Sequence, residues 1–147
     1  MASQRIETKN NIETPPAVAA AAVLNPPFYI AGKVQEGDKR GRELGFPTVN
    51  MKIGNLTIPY GVYVVLAKIK ERILKGIAHV GIVETFNVKD PRCEVHLLDY
   101  NGDLYNERVE LNLLKLLRQV KKFHDSQELV LQLKEDEKAA RHFLKNL

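Results

Sequence analysis

Three stretches of the chain hold residue types that can do chemistry together. The densest is Gly32-Lys33-Val34-Gln35-Glu36-Gly37-Asp38-Lys39-Arg40-Gly41-Arg42-Glu43-Leu44-Gly45-Phe46-Pro47-Thr48-Val49-Asn50. Glycines let backbone amides approach a polyanion closely, and Lys39, Arg40 and Arg42 place positive charge between them. Thr48 and Asn50 stand two apart, so on an extended backbone they share a face. A hydroxyl and an amide oxygen on one face suit a hard cation such as Mg²⁺ held beside phosphates. A solvated surface loop followed by an ordinary strand explains the same residues equally well. The order GxxxxGK[ST] is absent, so this is not a Walker loop.

The second stretch is Glu94-Val95-His96-Leu97-Leu98-Asp99-Tyr100. Period-two alternation puts Glu94 and His96 on one strand face, with Val95 and Leu97 packing on the other. A carboxylate there, near a phosphate site, can take a proton from an alcohol. A solvated strand face is the plainer and commoner reading of such a pair. The third stretch, Leu117-Arg118-Gln119-Val120-Lys121-Lys122-Phe123, can bind an anion, stack an aromatic ring, or serve as a basic connector. His79, His124 and His142 read as structural or exposed, with nothing near them to suggest ligation, and Cys93 reads as a small apolar packing residue.

These residues need elements to hold them. Tyr29–Val34 is rich in strand formers, and Phe46–Ile53 reads as a short extended piece. Pro59-Tyr60-Gly61 is a turn signal before a strong strand at Val62–Ile69. Leu74–Val83 reads as its partner, with Gly76 and Gly81 marking bends or bulges. Cys93–Tyr100 is a strand, Asn101-Gly102 signals a type I′ hairpin, and Asp103–Leu116 supplies the return. Ser126 followed by acids and then bases over Gln127–Phe143 predicts an amphipathic helix aligned with its dipole. Short strands at near-regular spacing followed by one helix predict a closed antiparallel barrel with a terminal helix, a mainly β fold.

Composition bounds the partners. The 147 residues suffice for one domain with a real core. Hydrophobic residues at 44% and charged residues at 27% place the chain among globular proteins. A single cysteine excludes an internal disulfide and a multi-cysteine zinc site. No apolar run reaches the roughly 20 residues of a membrane span, so neither membrane nor signal peptide is expected, and the location expected is cytoplasmic. The charge of +4 is dispersed, without interleaved aromatics, so no nucleic-acid partner is expected. Residues 1–26, with Pro15-Pro16 and an alanine run, read as a linker or partly disordered tail carrying a short helix at most over Ala17–Leu24; residues 27–147 form the domain.

Together these segments resemble the riboflavin kinase family. Gly41-Arg42-Glu43-Leu44-Gly45-Phe46-Pro47-Thr48-Val49-Asn50 is similar to its G-R-x-L-G-F-P-T-A-N signature, departing at Val49. Tyr60-Gly61-Val62-Tyr63 resembles the G-V-Y strand start. Glu94–Tyr100 resembles E-V-H-L-[LF]-D-[FY], and Gly102-Asp103-Leu104-Tyr105 the G-D-L-Y that follows. Leu117-Arg118 with Lys121-Lys122-Phe123 resembles L-R-x-x-x-K-F. Departures are Ile82-Val83-Glu84, where relatives often read x-R-P, and Gln119-Val120 in place of Pro-Glu.

The resemblance implies a six-stranded antiparallel Greek-key barrel with a C-terminal helix, acting on riboflavin and ATP with Mg²⁺. Glu94 would be the general base for the riboflavin 5′-hydroxyl. Thr48 and Asn50 would hold Mg²⁺ and the ATP phosphates. Gly37, Lys39 and Arg42 would cover the nucleotide. Leu97, Asp99 and Tyr105 would lie near nucleotide or flavin, and Arg118 and Lys121 on the flavin side. A monomer is expected.

The start of the chain also resembles the junction after the adenylyltransferase module of bacterial bifunctional FAD synthetases, in which the kinase is C-terminal. No nucleotide-binding βαβ unit fits into 26 residues, so FAD synthesis is not expected of this chain, whether it is a module of a longer parent or a short gene. A non-catalytic flavin- or nucleotide-binding regulatory barrel is the alternative reading, and an RNA-binding barrel would rest on charge alone.

Overall fold

Runs of β-branched and aromatic residues become strands where both their faces can be covered. A computed structural model describes residues 26–35, 45–53, 57–82 and 91–147. Within them lie β1 (Phe28–Gln35), β2 (Val49–Lys52), β3 (Gly61–Ile69), β4 (Arg72–Ile82), β5 (Pro91–Leu97), β6 (Arg108–Arg118) and a helix, α1 (Ser126–Lys145). The strands close into a barrel in the order β1-β2-β5-β4-β3-β6, every neighbouring pair antiparallel. The expected mainly β barrel with a C-terminal helix is what forms.

Two cores result, one on each side of the wall. Inward residues such as Ile30, Met51, Tyr63, Val65, Val80, Val95 and Leu111 fill the barrel. On the outer side Val62, Val64, Ile77 and Leu98 pack against Ala140 and Leu144 of α1, with Leu114, Leu117 and Phe143 around them. That is why β3 is buried along almost its whole length. The β3–β6 register shifts between Val62 and Tyr63 and again between Val64 and Val65, leaving Leu117 and Leu114 unpaired. Such bulges bend a strand, and both leucines join the helix-side cluster.

Two local expectations are corrected. Asn101-Gly102 does not make a hairpin, because β5 and β6 are not neighbours in the barrel. The link crosses the barrel end and bonds to β1 instead: the Asn106 amide donates to the Val34 carbonyl, and the Val34 amide to the Glu107 carbonyl, each at 2.9 Å. Burial of Leu104 in the barrel core holds it there; tertiary burial overrides a two-residue turn preference. Gly76 and Gly81 are not bulges, since β4 keeps its register with both neighbours. A side chain at Gly76 would meet the His96 carbonyl oxygen at 2.9 Å, so glycine is needed for close backbone approach. The helix is capped by Asp125, whose Oδ1 accepts from the Glu128 amide at 2.8 Å. The expected tail and its short helix, apart from residue 26, lie outside the described residues.

Candidate functional site

Alternate residues of a barrel strand go to opposite sides of the wall. Met51, Cys93, Val95 and Leu97 belong to the barrel core, so Asn50, Glu94 and His96 lie on the outer side. The register sets Asn50 directly opposite Glu94, and Glu94 opposite His79 on β4. Gln35 stands across from Asn50 on its other flank. A single row therefore reads Gln35, Asn50, Glu94, His79, with about 4.8 Å between neighbouring strands. It continues through Val62 to Arg118 on β6.

Asn50 is only 4% exposed, and its Oδ1 is buried without a hydrogen-bond partner among the described residues. Leaving such an oxygen unsatisfied costs about 1–3 kcal/mol, so it is an acceptor waiting for a donor or a cation. Thr48, one residue before β2, lines a cleft of about 300 Å³ with Leu97, Leu104 and Tyr105 at the barrel end. Among the described residues no group of three or more His, Cys, Asp or Glu could hold a metal ion. The buried amide oxygen and nearby hydroxyl do fit an oxygen-seeking cation that keeps its remaining positions for water and phosphate.

The cleft continues into a more open groove past Asp99 to Arg141. Arg141 grips Asp99 with both terminal nitrogens, at 2.9 and 3.0 Å, and bonds Glu137 through Nε at 2.9 Å. These hydrogen bonds hold the Asp99 carboxyl below its usual range. Asp99 also sits at φ 58, in the left-handed region, where the strand turns into the crossing link. His96 Nδ1 lies 3.0 Å from the Pro47 carbonyl oxygen, an acceptor, so this nitrogen carries the proton. Its ring meets Phe46 edge-on at 5.3 Å. The Gly45-Phe46-Pro47-Thr48 segment is thereby tied to β5. Tyr105 is exposed, its amide held by Asp103 Oδ1.

Arg118 is committed to structure. Its Nε and Nη2 bond the two carboxylate oxygens of Asp136, both at 2.8 Å, and Nη1 bonds the Gln119 carbonyl. Gln132 donates to Asp136 and accepts from Lys121 Nζ. Arg118 and Lys121 both stand over the Phe123 ring, at 5.9 and 5.8 Å. Of the three readings of this stretch, the contacts describe both stacking on an aromatic ring, that of Phe123, and a connector tied to α1.

Thr48, Leu97 and Tyr105 thus line the cleft at the barrel end, Asp99 the groove beside it, and Asn50 and Glu94 the outer row, in which Arg118 also stands, with Lys121 just beyond it. Gly37, Lys39 and Arg42 lie outside the described residues, as do Val83 and Glu84. Sequence reasoning gave His79 and Asp136 no part in a site, reading His79 as structural or exposed and Asp136 as one of the acids of the helix. Asp136 left a trace: it is the one carboxylate on the stripe Leu129, Leu133, Asp136, Ala140, Leu144, where a helix should be apolar. His79 left none, because its place opposite Glu94 depends on strand order.

Comparison with known proteins gives the family of the chain. The sequence model of one family, described as "Flavokinase: Riboflavin kinase", matches residues 24–144. The bifunctional riboflavin kinase/FMN adenylyltransferase of Bacillus subtilis (strain 168) is 36% identical over 133 residues, 87% of this chain and 42% of the relative. The protein of the same description from Escherichia coli (strain K12) is 38% identical over 126 residues, 84% of this chain and 40% of the relative. The chain therefore spans about two fifths of the length of these relatives. A crystal structure of riboflavin kinase from Trypanosoma brucei superposes with a TM-score of 0.56 at 24% identity, covering 81% of this chain and 78% of that one; it shows the shared fold. The crystal structure of a macrolide-efflux protein from Streptococcus pneumoniae superposes with a TM-score of 0.70 at 38% identity, covering 78% of this chain and 38% of that one. No helix among the described residues here is long and apolar enough to cross a membrane.

Proposed function

The chain belongs to the riboflavin kinase family, and on that premise we propose that it moves the γ-phosphoryl group of ATP onto the riboflavin 5′-hydroxyl, giving FMN and ADP. The observation that carries this reading is the cross-strand pair of Asn50 and Glu94, with the Asn50 oxygen buried and, among the described residues, unsatisfied. Phosphoryl transfer asks little covalent chemistry of a protein. It asks for aligned groups, charge compensation and a carboxylate at the nucleophile.

Glu94 is the general base: its carboxylate accepts the 5′-hydroxyl proton as that oxygen attacks the γ-phosphorus. Thr48 and Asn50 would hold Mg²⁺ and orient the phosphates beside it. When bound, Mg²⁺ neutralises charge on the phosphate oxygens. Gly37, Lys39 and Arg42 cover the nucleotide, and Leu97 and Tyr105 wall the cleft that takes it. Asp99, clamped by Arg141, fixes the rim of that cleft. The flavin lies towards Arg118, Lys121 and Phe123. Because the Arg118 fork is taken by Asp136, Arg118 supports that wall rather than seizing substrate. The protein is proposed to act in the cytoplasm as a monomer. The adenylyltransferase activity named for the bifunctional relatives is not proposed for it.

A coupled assay of ADP release dependent on both riboflavin and Mg²⁺ tests the reading. FMN and ADP should form in equal amounts. Flavin binding without any ADP release would replace it with a non-catalytic binding barrel.

A further inference from the structure

In the outer row, the order of residues is itself informative. Asn50 stands on the phosphate side of Glu94 and His79 on the other. In-line transfer sets the attacking alcohol on the far side of the phosphoryl group from its leaving group. With phosphates held at Thr48 and Asn50 and the attacking oxygen at Glu94, the remainder of the alcohol must extend towards His79. We infer that His79 is a substrate-positioning residue, whose imidazole hydrogen-bonds a secondary hydroxyl of the ribityl chain and so aims the terminal hydroxyl at Glu94. This rests on the reading of Glu94 as the base.

Spacing supports it. His79 is one strand from Glu94, about 4.8 Å, a distance that an extended polyol covers in two or three carbons. The ribityl chain carries a hydroxyl on each of them. The His79 ring is half-buried, and its Nδ1 has no hydrogen-bond partner outside its own residue among the described residues. It leans over Gly81: a Cβ at that glycine would come within 3.2 Å of His79 Cε1 and 3.7 Å of Val120 Cγ2. The glycine thus leaves the space that the ring occupies. The ionisable groups around it are Glu94 on β5 and the Arg118–Asp136 pair. Burial first, and the Arg118 charge second, hold the imidazole below its usual range, so it is neutral at physiological pH. A neutral imidazole offers one donor and one acceptor, and a sugar hydroxyl offers both.

The test compares wild-type protein with His79→Leu, His79→Asn and Gly81→Ala, using riboflavin and its 2′-, 3′- and 4′-deoxy analogues with MgATP. His79→Leu should lower kcat/KM for riboflavin by about two- to tenfold, the size of one hydrogen bond, with KM for MgATP unchanged. His79→Asn, which keeps a donor and an acceptor, should recover most of the loss. Gly81→Ala, by crowding the ring, should move in the same direction as His79→Leu. One deoxy analogue should lose the same factor in the wild type and lose nothing more in His79→Leu. The inference is overturned if His79→Leu keeps the wild-type kcat/KM, if KM for MgATP rises along with that for riboflavin, or if every analogue's loss simply multiplies with that of the variant. A wild-type protein that phosphorylates no riboflavin defeats the kinase reading itself, whereas an active wild type with an indifferent His79→Leu defeats this inference alone.

Discussion

Asn50 on β2 and Glu94 on β5 face each other across one antiparallel ladder, on the outer side of the barrel wall. Directly opposite residues on one sheet face have Cβ atoms about 4.5–5.5 Å apart. An amide oxygen and a carboxylate at that separation can address two atoms of one reacting group without either strand moving.

The first prediction concerns the carboxylate. Glu94→Gln keeps size and hydrogen-bonding capacity but cannot take a proton at neutral pH. Riboflavin-dependent ADP release should fall by about 10²–10⁴-fold, with flavin and MgATP affinities close to wild type. Wild-type turnover in this variant would remove Glu94 from the base role.

The second concerns the cation. Asn50→Leu fills the same buried space without an oxygen, and Thr48→Val removes a hydroxyl at constant shape. Each should raise the Mg²⁺ concentration needed for half-maximal rate by at least the roughly 10–100-fold that loss of an outer-sphere partner costs a metal site. A Mg²⁺ titration of activity reads this. An unshifted midpoint in both variants would place the cation elsewhere.

The third contrasts two arginine–carboxylate pairs. In Arg118–Asp136 the side chains are 16% and 4% exposed. Asp136→Ala leaves a nearly buried guanidinium without its partner and should cost about 3–5 kcal/mol in urea unfolding. Arg141–Asp99 is open to solvent, with side chains 43% and 71% exposed. Asp99→Ala should leave the unfolding midpoint almost unchanged, and any effect should fall on nucleotide KM instead. Equal losses of stability in the two variants would contradict this ranking.

The fourth follows from His79. Its folded-state pKa lies below the ordinary value of 6.5. As pH falls through about 6.5, the unfolded chain takes up a proton that the folded ring resists, so stability declines on the acid side. Above that pH the contribution is fully present. His79→Asn should flatten the stability profile between about pH 7.5 and pH 5, measured as the wild-type-minus-variant difference in urea midpoint. A difference that is constant across this range would show that His79 carries no pH-linked term.

Much of the fold was legible along the chain. The period-two pattern of Glu94-Val95-His96-Leu97 correctly divided polar from core residues, because alternation is a property of one strand. The strong β-formers at 62–69 located β3, and the acid-to-base order located α1. Less legible was what joins what. The Asn101-Gly102 signal misled because a turn preference of two residues competes with burial of Leu104 and bonding to Val34, which the local sequence does not encode. Which residue caps the helix was not legible, because Asp125 and Ser126 are both good caps and only the entry angle of the chain selects one.

By itself, then, the sequence determined the element types, the faces of each strand and a set of motif residues whose family resemblance names a substrate. Those are short-range properties, set by backbone periodicity and side-chain chemistry. Only the tertiary structure decided that β5 lies between β2 and β4, and therefore that Glu94 stands between Asn50 and His79. It likewise decided that Arg118 is spent on Asp136, 18 residues away. The reason is physical: closing a barrel chooses neighbours by burying both faces of every strand at once, and that choice depends on the whole chain.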